Sequence, residues 1–312
     1  MLTTEVKLIS KIMRKNLEYE MNDTGFSLND HPNQHTDILL DGKIAGRYMY
    51  AYDNSTDDRL HETYKPYLHV FNVDGTAPIT KGPGGLFTHH RGIFLGWNKI
   101  QFNGQTYDRW HMTGGEIIHR RFTQQTADEE RATLISQTNW NDEKGQVMIE
   151  ETRTMTIQRP TESPFRLQID FTAELKAVAG DVLLDGDPEH AGVQYRPADE
   201  VVKEETIYIF PKAGADPKVD LDYPWVGETY TLSGNRHSVV QLNHPDNPKE
   251  TRFSAYRDYG RFGAFFVHSI ANGEALQICY RFLIADGELP ATEQVHASWD
   301  RFAGISQPGN SI

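Results

Sequence analysis

Three long segments in the middle of the chain alternate apolar and polar residues so regularly that they restrict the fold more than any other feature. They are residues 131–141, 146–159 and 165–178, with the sequences RATLISQTNWN, QVMIEETRTMTIQR and FRLQIDFTAELKAV. Each segment is rich in β-branched residues, and successive side chains of a strand point to opposite faces of a sheet. The pattern predicts a meander of antiparallel strands with one buried face and one face that tolerates water.

Short apolar runs separated by turn signals continue this pattern along most of the chain. The Asp-Gly pair at residues 41–42 and the Asn-Gly pair at 103–104 are strong hairpin signals. Only residues 291–305 predict a helix, whereas residues 53–63 predict a solvated loop and residues 2–18 fit either a strand or a short helix. Roughly fifteen strands without alternating helices predict an all-β fold, a large antiparallel two-sheet β-sandwich with one short C-terminal helix.

Composition limits the class of protein and its partners. No stretch marks a domain boundary, so we expect one domain over residues 1–312. The formal net charge of −13 argues against nucleic acid and anionic membranes as partners, since both attract basic surfaces. The single cysteine, Cys279, excludes an intrachain disulfide and fits a reducing compartment. Without a signal-peptide pattern or a run of about 20 apolar residues, we expect a soluble cytoplasmic protein, or a periplasmic one if a leader was removed.

The densest polar chemistry lies in residues 81–98, KGPGGLFTHHRGIFLGWN, where His89, His90 and Arg91 stand between a glycine-rich entry and an apolar run. Imidazole can donate or accept a hydrogen bond, titrate near neutral pH or bind a metal, and guanidinium offers a fixed fork of donors. If residues 88–97 form one extended strand, the two imidazoles point to opposite faces. A turn or bulge at the two histidines would bring both into one pocket.

Other polar and aromatic side chains that could complete a pocket are scattered over the predicted strands. Residues 188–196, PEHAGVQYR, contribute His190, Gln194 and Arg196. The remaining candidates are His69, His119, His244, Trp97 and Tyr259. Each of them could equally be an ordinary core residue. We find no H-x-H, H-E-x-x-H or close carboxylate–histidine spacing, so a divalent metal stays an open alternative without assigned ligands.

Several sequence blocks, in this order and spacing over residues 36–285, resemble a bacterial family of unknown function labelled methane oxygenase PmoA-like. The blocks are HHRGIFLGWN at 89–98, GGEIIHRRF at 114–122, EHAGVQYR at 189–196, NHPDNP at 243–248 and RDYGRFGAFF at 257–266. The resemblance implies a supersandwich similar to that of galactose mutarotases and some polysaccharide lyases, and a role in carbohydrate metabolism. Thr88 stands where the family commonly has proline, so the resemblance does not define the turn before His89. A methane monooxygenase subunit sits in the membrane, whereas this chain has no spanning segment.

These features favour a carbohydrate-active enzyme that uses histidine acid/base chemistry on a sugar or sugar acid, as an epimerase, a lyase or a glycoside-processing enzyme. In this hypothesis His90 or His190 moves the proton and Arg91 holds a carboxylate or a pair of hydroxyls. The predicted substrate-binding residues are His69, His89, Trp97, His119, Gln194, Arg196, His244 and Tyr259. The ligand would be a small molecule or an oligosaccharide, and the sequence predicts no oligomeric state. Two alternatives remain open: a non-catalytic carbohydrate-binding protein, and a metal-dependent oxidoreductase of the kind that the family label suggests.

Overall fold

The predicted central meander is confirmed in the computed structural model, which describes residues 24–305. Strands β9 (Arg131–Asn141), β10 (Val147–Gln158) and β11 (Phe165–Ala177) pair in this order as antiparallel neighbours. The element predicted at residues 2–18 lies outside the described residues. The meander is the middle of an eight-stranded sheet, here called the second sheet.

Strands are numbered in chain order, and they form three antiparallel sheets. Across the first sheet the order is β1 (Phe26–His31), β2 (His35–Leu40), β3 (Lys43–Met49), β4 (Tyr67–Val70), β5 (Ile93–Trp97), β13 (Ala191–Tyr195), β18 (Phe262–Phe265) and β17 (Arg252–Phe253). Across the second sheet it is β14 (Val201–Ile209), β15 (Trp225–Leu232), β16 (Asn235–Asn243), β20 (Ala275–Asp286), β11, β10, β9 and β8 (Ile117–Ala127). A small sheet has the order β19 (His268–Ile270), β12 (Val182–Asp185), β6 (Lys99–Phe102) and β7 (Gln105–Tyr107).

The all-β class and the C-terminal helix, α2 (Thr292–Phe302), are confirmed, and two further elements correct the prediction. The chain connects the four-stranded small sheet to both large ones, because β6 follows β5 of the first sheet after a single residue and β12 follows β11 of the second sheet. Helix α1 (Asp57–Thr63) replaces the predicted loop. Thr56 caps this helix by accepting a hydrogen bond from the backbone of Arg59, and two aspartates in the first turn suit its positive end. Seven residues are too few to show helical periodicity in the sequence.

The core lies between the two large sheets and is built from rows of side chains that share one face. One such row crosses five strands of the first sheet through the paired residues Tyr48, Leu68, Ile93, Tyr195 and Phe262, all at most 2% exposed. Paired residues of neighbouring strands point to the same side, so this row faces the second sheet. The Tyr195 hydroxyl lies 2.6 Å from that of a tyrosine on β15, which ties the two sheets together.

The opposite face of the first sheet carries a second set of rows and is called the outer face here. His35, Met49 and Tyr67 form one row across β2, β3 and β4. Phe94 and Gln194 form another across β5 and β13. Tyr67 and Phe94 belong to a small apolar cluster that is separate from the main core. The outer face therefore has its own packing, and loops rather than a sheet cover it.

A buried ion pair also links the two large sheets. Glu151 and Arg153 are neighbours on one face of β10, and their side chains are at most 1% exposed. The Arg153 guanidinium donates to the Glu151 carboxylate at 2.6 and 3.0 Å, and the indole N–H of Trp140 donates to the same carboxylate at 2.8 Å. Arg153 also donates at 3.2 Å to the backbone carbonyl of Pro66, just before β4 of the first sheet. The pair thus satisfies its own charges while it bridges the sandwich.

Helix α2 packs on the face of the second sheet that points away from the main core. Val295 of α2 packs with Trp225, Leu242 and Leu283 in a separate apolar cluster. Neither helix in the described part of the chain has the length and apolar character that a membrane crossing would require. The assignment of the whole chain to one domain stays a prediction.

We expect Arg153→Ala to lower the free energy of unfolding by about 3–5 kcal/mol, because it leaves the Glu151 carboxylate buried and unpaired. Arg131→Ala is the matched control, since its partner Glu130 and Arg131 itself are both largely exposed. Urea denaturation of the two variants should show a change below about 0.5 kcal/mol for the control. Equal losses in both variants would contradict the role given to the buried pair.

Candidate functional site

The small sheet sets the position of the candidate site through the directions of its strands. β6 lies between β12 and β7 and pairs with both in antiparallel fashion. The two flanking strands therefore run parallel to each other. Lys99 at the start of β6 pairs with Asp185 at the end of β12, and Ile100 pairs with Tyr107 at the end of β7. The segments that follow β7 and β12 consequently leave the sheet at the same edge.

Each of these segments contains the same short turn, Asp-x-x-His. In the first, the Asp108 carboxylate accepts two backbone N–H groups of the turn at 2.8 Å and lies 2.7 Å from Nδ1 of His111. In the second, the Asp187 carboxylate accepts one backbone N–H group at 3.0 Å and lies 2.8 Å from Nδ1 of His190. Aspartate favours such turns because its side chain bonds the backbone that follows it. In both turns the carboxylate also fixes the orientation of the imidazole.

The two carboxylate-bound imidazoles lie next to each other and next to the adjacent histidines of the central stretch. The ring centroids of His111 and His190 are 5.2 Å apart, those of His111 and His89 are 4.4 Å apart, and those of His89 and His90 are 4.5 Å apart. The backbone N–H of His90 donates to the carbonyl of Phe87 at 2.9 Å, which closes a turn at the two adjacent histidines. We call His89, His90, His111 and His190 the histidine cluster.

Aromatic side chains form the floor and one wall of the cluster. Trp110 is fully buried, its ring centroid lies 4.7 Å from that of Phe94, and it is 6.0 Å from His90. On the other side Phe87 packs against His90 at 5.2 Å and against Tyr259 at 4.9 Å. Phe87 is nevertheless 40% exposed, so one part of an aromatic ring borders the cluster and faces solvent.

A glycine on the outer face allows the first Asp-x-x-His turn to reach this floor. A Cβ atom at Gly96 of β5 would overlap the backbone carbonyl of Arg109. The backbone N–H of Arg109 donates to the carbonyl of Trp97 at 2.8 Å, so the turn lies directly on the strand. This close approach places Trp110 and His111 over the first sheet.

Two buried cations lie beneath the cluster, and within residues 24–305 neither has a carboxylate oxygen within 4 Å. Lys65 donates to the backbone carbonyl of Trp110 at 2.6 Å, and its ammonium lies 4.5 Å from the Phe94 ring centroid. Arg91 donates to three backbone carbonyls, including those of His90 and His61 at 2.8 Å. Positive charge that is buried without a counter-charge favours a bound anion at the nearest accessible position.

Burial and these cations keep two members of the cluster neutral. Burial lowers the pKa of His89 to about 2, with Lys65 as the largest charged contributor. Burial, and after it the neighbouring His89 and Arg261, lowers the pKa of His90 far below its ordinary value. Burial likewise lowers the pKa of Lys65 well below its usual range. His89 and His90 are therefore hydrogen-bonding groups without charge at neutral pH.

The two aspartates stay ionised. Burial raises the pKa of Asp187, but the hydrogen bond and the charge of His190 outweigh it and bring the pKa to about 2. For Asp108 burial also raises the pKa, and the hydrogen bonds from His111 and from the turn backbone lower it below its usual value. Each carboxylate can therefore stabilise positive charge on the imidazole that it holds.

Of four other predicted site residues, one borders the cluster and three lie elsewhere on the same side of the first sheet. Tyr259 borders it directly, and the Arg196 guanidinium carbon lies 4.8 Å from the Tyr259 ring centroid. Arg196 is fully buried and pairs with Asp199 at 2.7 Å. Gln194 is fully buried, and its carbonyl oxygen accepts a hydrogen bond from Arg261 at 3.1 Å. His69 is buried farther along the outer face, with Nδ1 3.0 Å from the Thr80 hydroxyl.

Three predicted site residues lie elsewhere. Trp97 is in the core, where its ring packs against Trp140 and Phe266. His119 is on β8 of the second sheet, and its ring centroid is 4.7 Å from that of Tyr50. His244 contacts Phe302 of the C-terminal helix at 5.1 Å between ring centroids. None of the three contacts the histidine cluster through a ring in the described part of the chain.

The sequence reasoning missed His111, although a signal for it was present. The statement that no close carboxylate–histidine spacing occurs was wrong, because Asp-x-x-His stands at residues 108–111 and again at 187–190. Each copy follows a short strand of the small sheet, β7 or β12, that the sequence analysis did not predict. A search for a repeated pairing of acid and histidine would have found both.

One group of side chains in residues 24–305 brings three metal-ligating atoms within 4.8 Å of one another, and it lies outside the histidine cluster. It consists of His31, His35 and Asp37 on the first hairpin. The aspartate–histidine spacing here, His-x-Asp, is again one that the sequence reasoning overlooked.

A comparison with family models assigns the chain to a protein family. The model of DUF6807, a family of unknown function, matches residues 35–300. The chain belongs to this family. The match covers both Asp-x-x-His turns and the paired histidines, but the family carries no assigned activity. The methane oxygenase label and the link to mutarotases stay predictions, and no curated protein matches this DUF6807 chain.

Two solved structures show a distant similarity. A β-arabinopyranosidase is 12% identical with a TM-score of 0.38, over 78% of this chain and 39% of that one. A chain described as a candidate kojibiose phosphorylase from the human microbiome is 8% identical with a TM-score of 0.38, over 84% of this chain and 32% of that one. This chain therefore spans less than two fifths of the length of either protein. Similarity at this level carries no argument about activity.

We expect Gly96→Ala to destabilise the protein by about 1–3 kcal/mol, because the added methyl group must displace the Arg109 backbone. Gly82→Ala is the control, since a Cβ there meets no atom closer than 3.5 Å. Urea denaturation measures both. Equal stability of the Gly96 variant and the wild type would show that the turn does not rest on β5.

Acidification should destabilise the protein partly through His69, whose pKa is lowered to about 4 by burial and by Arg47 and Arg91. Between pH 6.5 and 4 the unfolded chain binds a proton at this position that the folded chain does not bind. The free energy of unfolding therefore falls as pH decreases through this range, by about 1–2 kcal/mol between pH 7 and 5 for this one group. In His69→Gln the loss of stability between pH 7 and 5, measured by urea denaturation, should be smaller by that amount. An unchanged pH dependence would contradict the buried, neutral state of His69.

Proposed function

We propose that this protein is an enzyme that transfers protons on a sugar or sugar acid by histidine acid/base catalysis. The observation that carries the proposal is the pair of Asp-x-x-His turns, which set two carboxylate-bound imidazoles 5.2 Å apart at a half-exposed position. An ionised carboxylate that holds Nδ1 of a histidine orients the ring and stabilises its protonated form. The other nitrogen, Nε2, is then the atom that exchanges a proton with a ligand.

Two such imidazoles allow one to accept a proton while the other donates one. This division suits epimerisation or elimination at a carbon next to a carbonyl or carboxylate group. His190 and His111 fit the proton-transferring roles because each has a carboxylate partner. His90, which was the alternative to His190, fits a binding role instead, since burial keeps it neutral.

The charge beneath the cluster supports an acidic substrate. Arg91 is a buried cation without a carboxylate partner in the described part of the chain, and Lys65 is a buried amine whose charged form a bound anion would stabilise. Both lie next to the backbone that carries the cluster. A carboxylate on the substrate, or the negative charge that develops on an enolate, would be stabilised by this positive field. Arg91 acts here through its charge, because its two terminal nitrogens donate to backbone carbonyls and only its buried Nε lacks a hydrogen-bond partner.

The aromatic wall supports a sugar ring. Phe87 offers a partly exposed ring beside His90 and Tyr259. The C–H face of a pyranose is apolar and its edge is polar, so an aromatic face next to imidazoles suits both parts of the ligand. Phe87 takes the role that the sequence reasoning gave to Trp97.

The test is proton exchange in deuterated water, followed by NMR, with a panel of aldoses, uronic acids and their glycosides. We expect the wild type to exchange a C–H proton or form a product with at least one acidic sugar. His190→Asn and His111→Asn should each lower the rate at least a hundredfold, which is the usual range for loss of a general acid or base. Phe87→Ala should raise KM more than it lowers kcat.

His296→Asn is the matched control, because His296 is a surface histidine close to an aspartate on α2, away from the cluster. It should retain the wild-type rate. Full activity in both cluster variants would contradict the proposal. Binding of a sugar without exchange or product would favour the non-catalytic alternative, and loss of turnover on metal chelation would favour the metal-dependent one.

A further inference from the structure

We propose that the first hairpin of the protein carries a binding site for a divalent transition-metal ion, formed by His31, His35 and Asp37. The site is independent of the histidine cluster and of the function proposed for it. It lies on β1 and β2, at the opposite end of the first sheet from β13 and β18.

Strand pairing alone brings the three ligands together. His31 ends β1 and pairs directly with His35, which begins β2. Asp37 is two residues farther along β2, so it points to the same face as His35. The three-residue connection between the strands is a tight turn, in which the backbone N–H of Gln34 donates to the His31 carbonyl at 3.0 Å. The spacing His-x-x-x-His-x-Asp therefore becomes a three-ligand group without any long-range contact.

The distances are close to those of a coordinated ion. Nε2 of His31 lies 3.7 Å from Oδ2 of Asp37, and Nε2 of His35 lies 3.8 Å from the same oxygen. The two imidazole centroids are 4.4 Å apart. Ligands at about 2.1 Å from a tetrahedral ion are about 3.4 Å from each other. Small side-chain rotations would thus close the group around one ion.

The surroundings orient the carboxylate ligand for a metal. Arg47 donates to the Asp37 carboxylate at 2.5 and 3.1 Å and so fixes its orientation, as second-shell partners of metal ligands do. Arg47 uses one lone pair on each carboxylate oxygen, so the second lone pair of Oδ2 can bind an ion while both bonds to Arg47 remain. The positive charge of Arg47 opposes the ion and limits the affinity.

The ligand set selects the class of metal. Two imidazoles and one carboxylate suit zinc, copper or nickel, whereas magnesium and calcium prefer oxygen ligands throughout. Three protein ligands leave at least one position for water or another ligand. His31 is 44% exposed and His35 is 16% exposed, so an ion can reach the site from solvent.

The test is isothermal titration of the metal-stripped full-length protein with zinc chloride at neutral pH. We expect one equivalent of zinc to bind, and we expect His31→Asn and His35→Asn each to raise Kd at least tenfold. His31 is largely exposed, so its variant should fold as the wild type does, which circular dichroism checks. Arg47→Gln should lower Kd, because it removes the opposing charge and leaves a donor for the carboxylate.

Two controls separate this site from other histidines. His296→Asn, on the C-terminal helix, should leave zinc binding unchanged. His111→Asn and His190→Asn should also leave it unchanged, since they belong to the histidine cluster. Absence of binding by the wild type, or loss of binding in the cluster variants but not in His31→Asn and His35→Asn, would overturn the proposal. Neither result would bear on the acid/base function, whose test uses different variants and a different readout.

Discussion

The site depends on one constraint: β7 and β12 lie on either side of β6 and run in the same direction. Because both strands end at one edge of the small sheet, the Asp-x-x-His turn that follows each of them emerges beside the other. Asn98, immediately before β6, donates to the Asp187 carboxylate at 3.0 Å and fastens that turn to the same edge. If β7 ran in the opposite direction, His111 would lie at the far end of the sheet from His190.

The two faces of the first sheet have different roles: the inner face forms the core, and the outer face carries the candidate site. The inner face of the first sheet supplies core residues such as Ile93 and Tyr195, and these make the apolar contacts that hold the two sheets together. The outer face needs no second sheet, so glycine at position 96 and the loops above it can bring Trp110, Lys65 and the histidines into contact. Buried basic groups such as Lys65 and Arg91 destabilise the folded state. The apolar contacts of the core offset that cost.

The sequence predicts the parts of this structure that depend on neighbours along the chain. Alternation locates β9, β10 and β11 almost to the residue, and the clustering of His89, His90 and Arg91 marks the central stretch. Strand order is not a local property, so the convergence of residues 108–111 with residues 187–190 could not be read from the chain. For the same reason His119 was wrongly grouped with the site: its strand looks like those of the site residues in sequence, but it belongs to the second sheet. Trp97 was chosen as a site residue because tryptophan often binds sugars. Strand alternation places it on the same inward face as Ile93 and Leu95, so it is a core residue.

The most direct test of the account is a measurement of distances between imidazoles in solution. In protein labelled on its histidine rings and assigned with single His→Asn variants, nuclear Overhauser effects report which rings are close. We expect effects from the ring protons of His111 to those of both His89 and His190, and none from His111 to His119 or His244. Absence of any effect between His111 and the other two cluster rings would mean that the two Asp-x-x-His turns do not meet, and the proposed site would not exist.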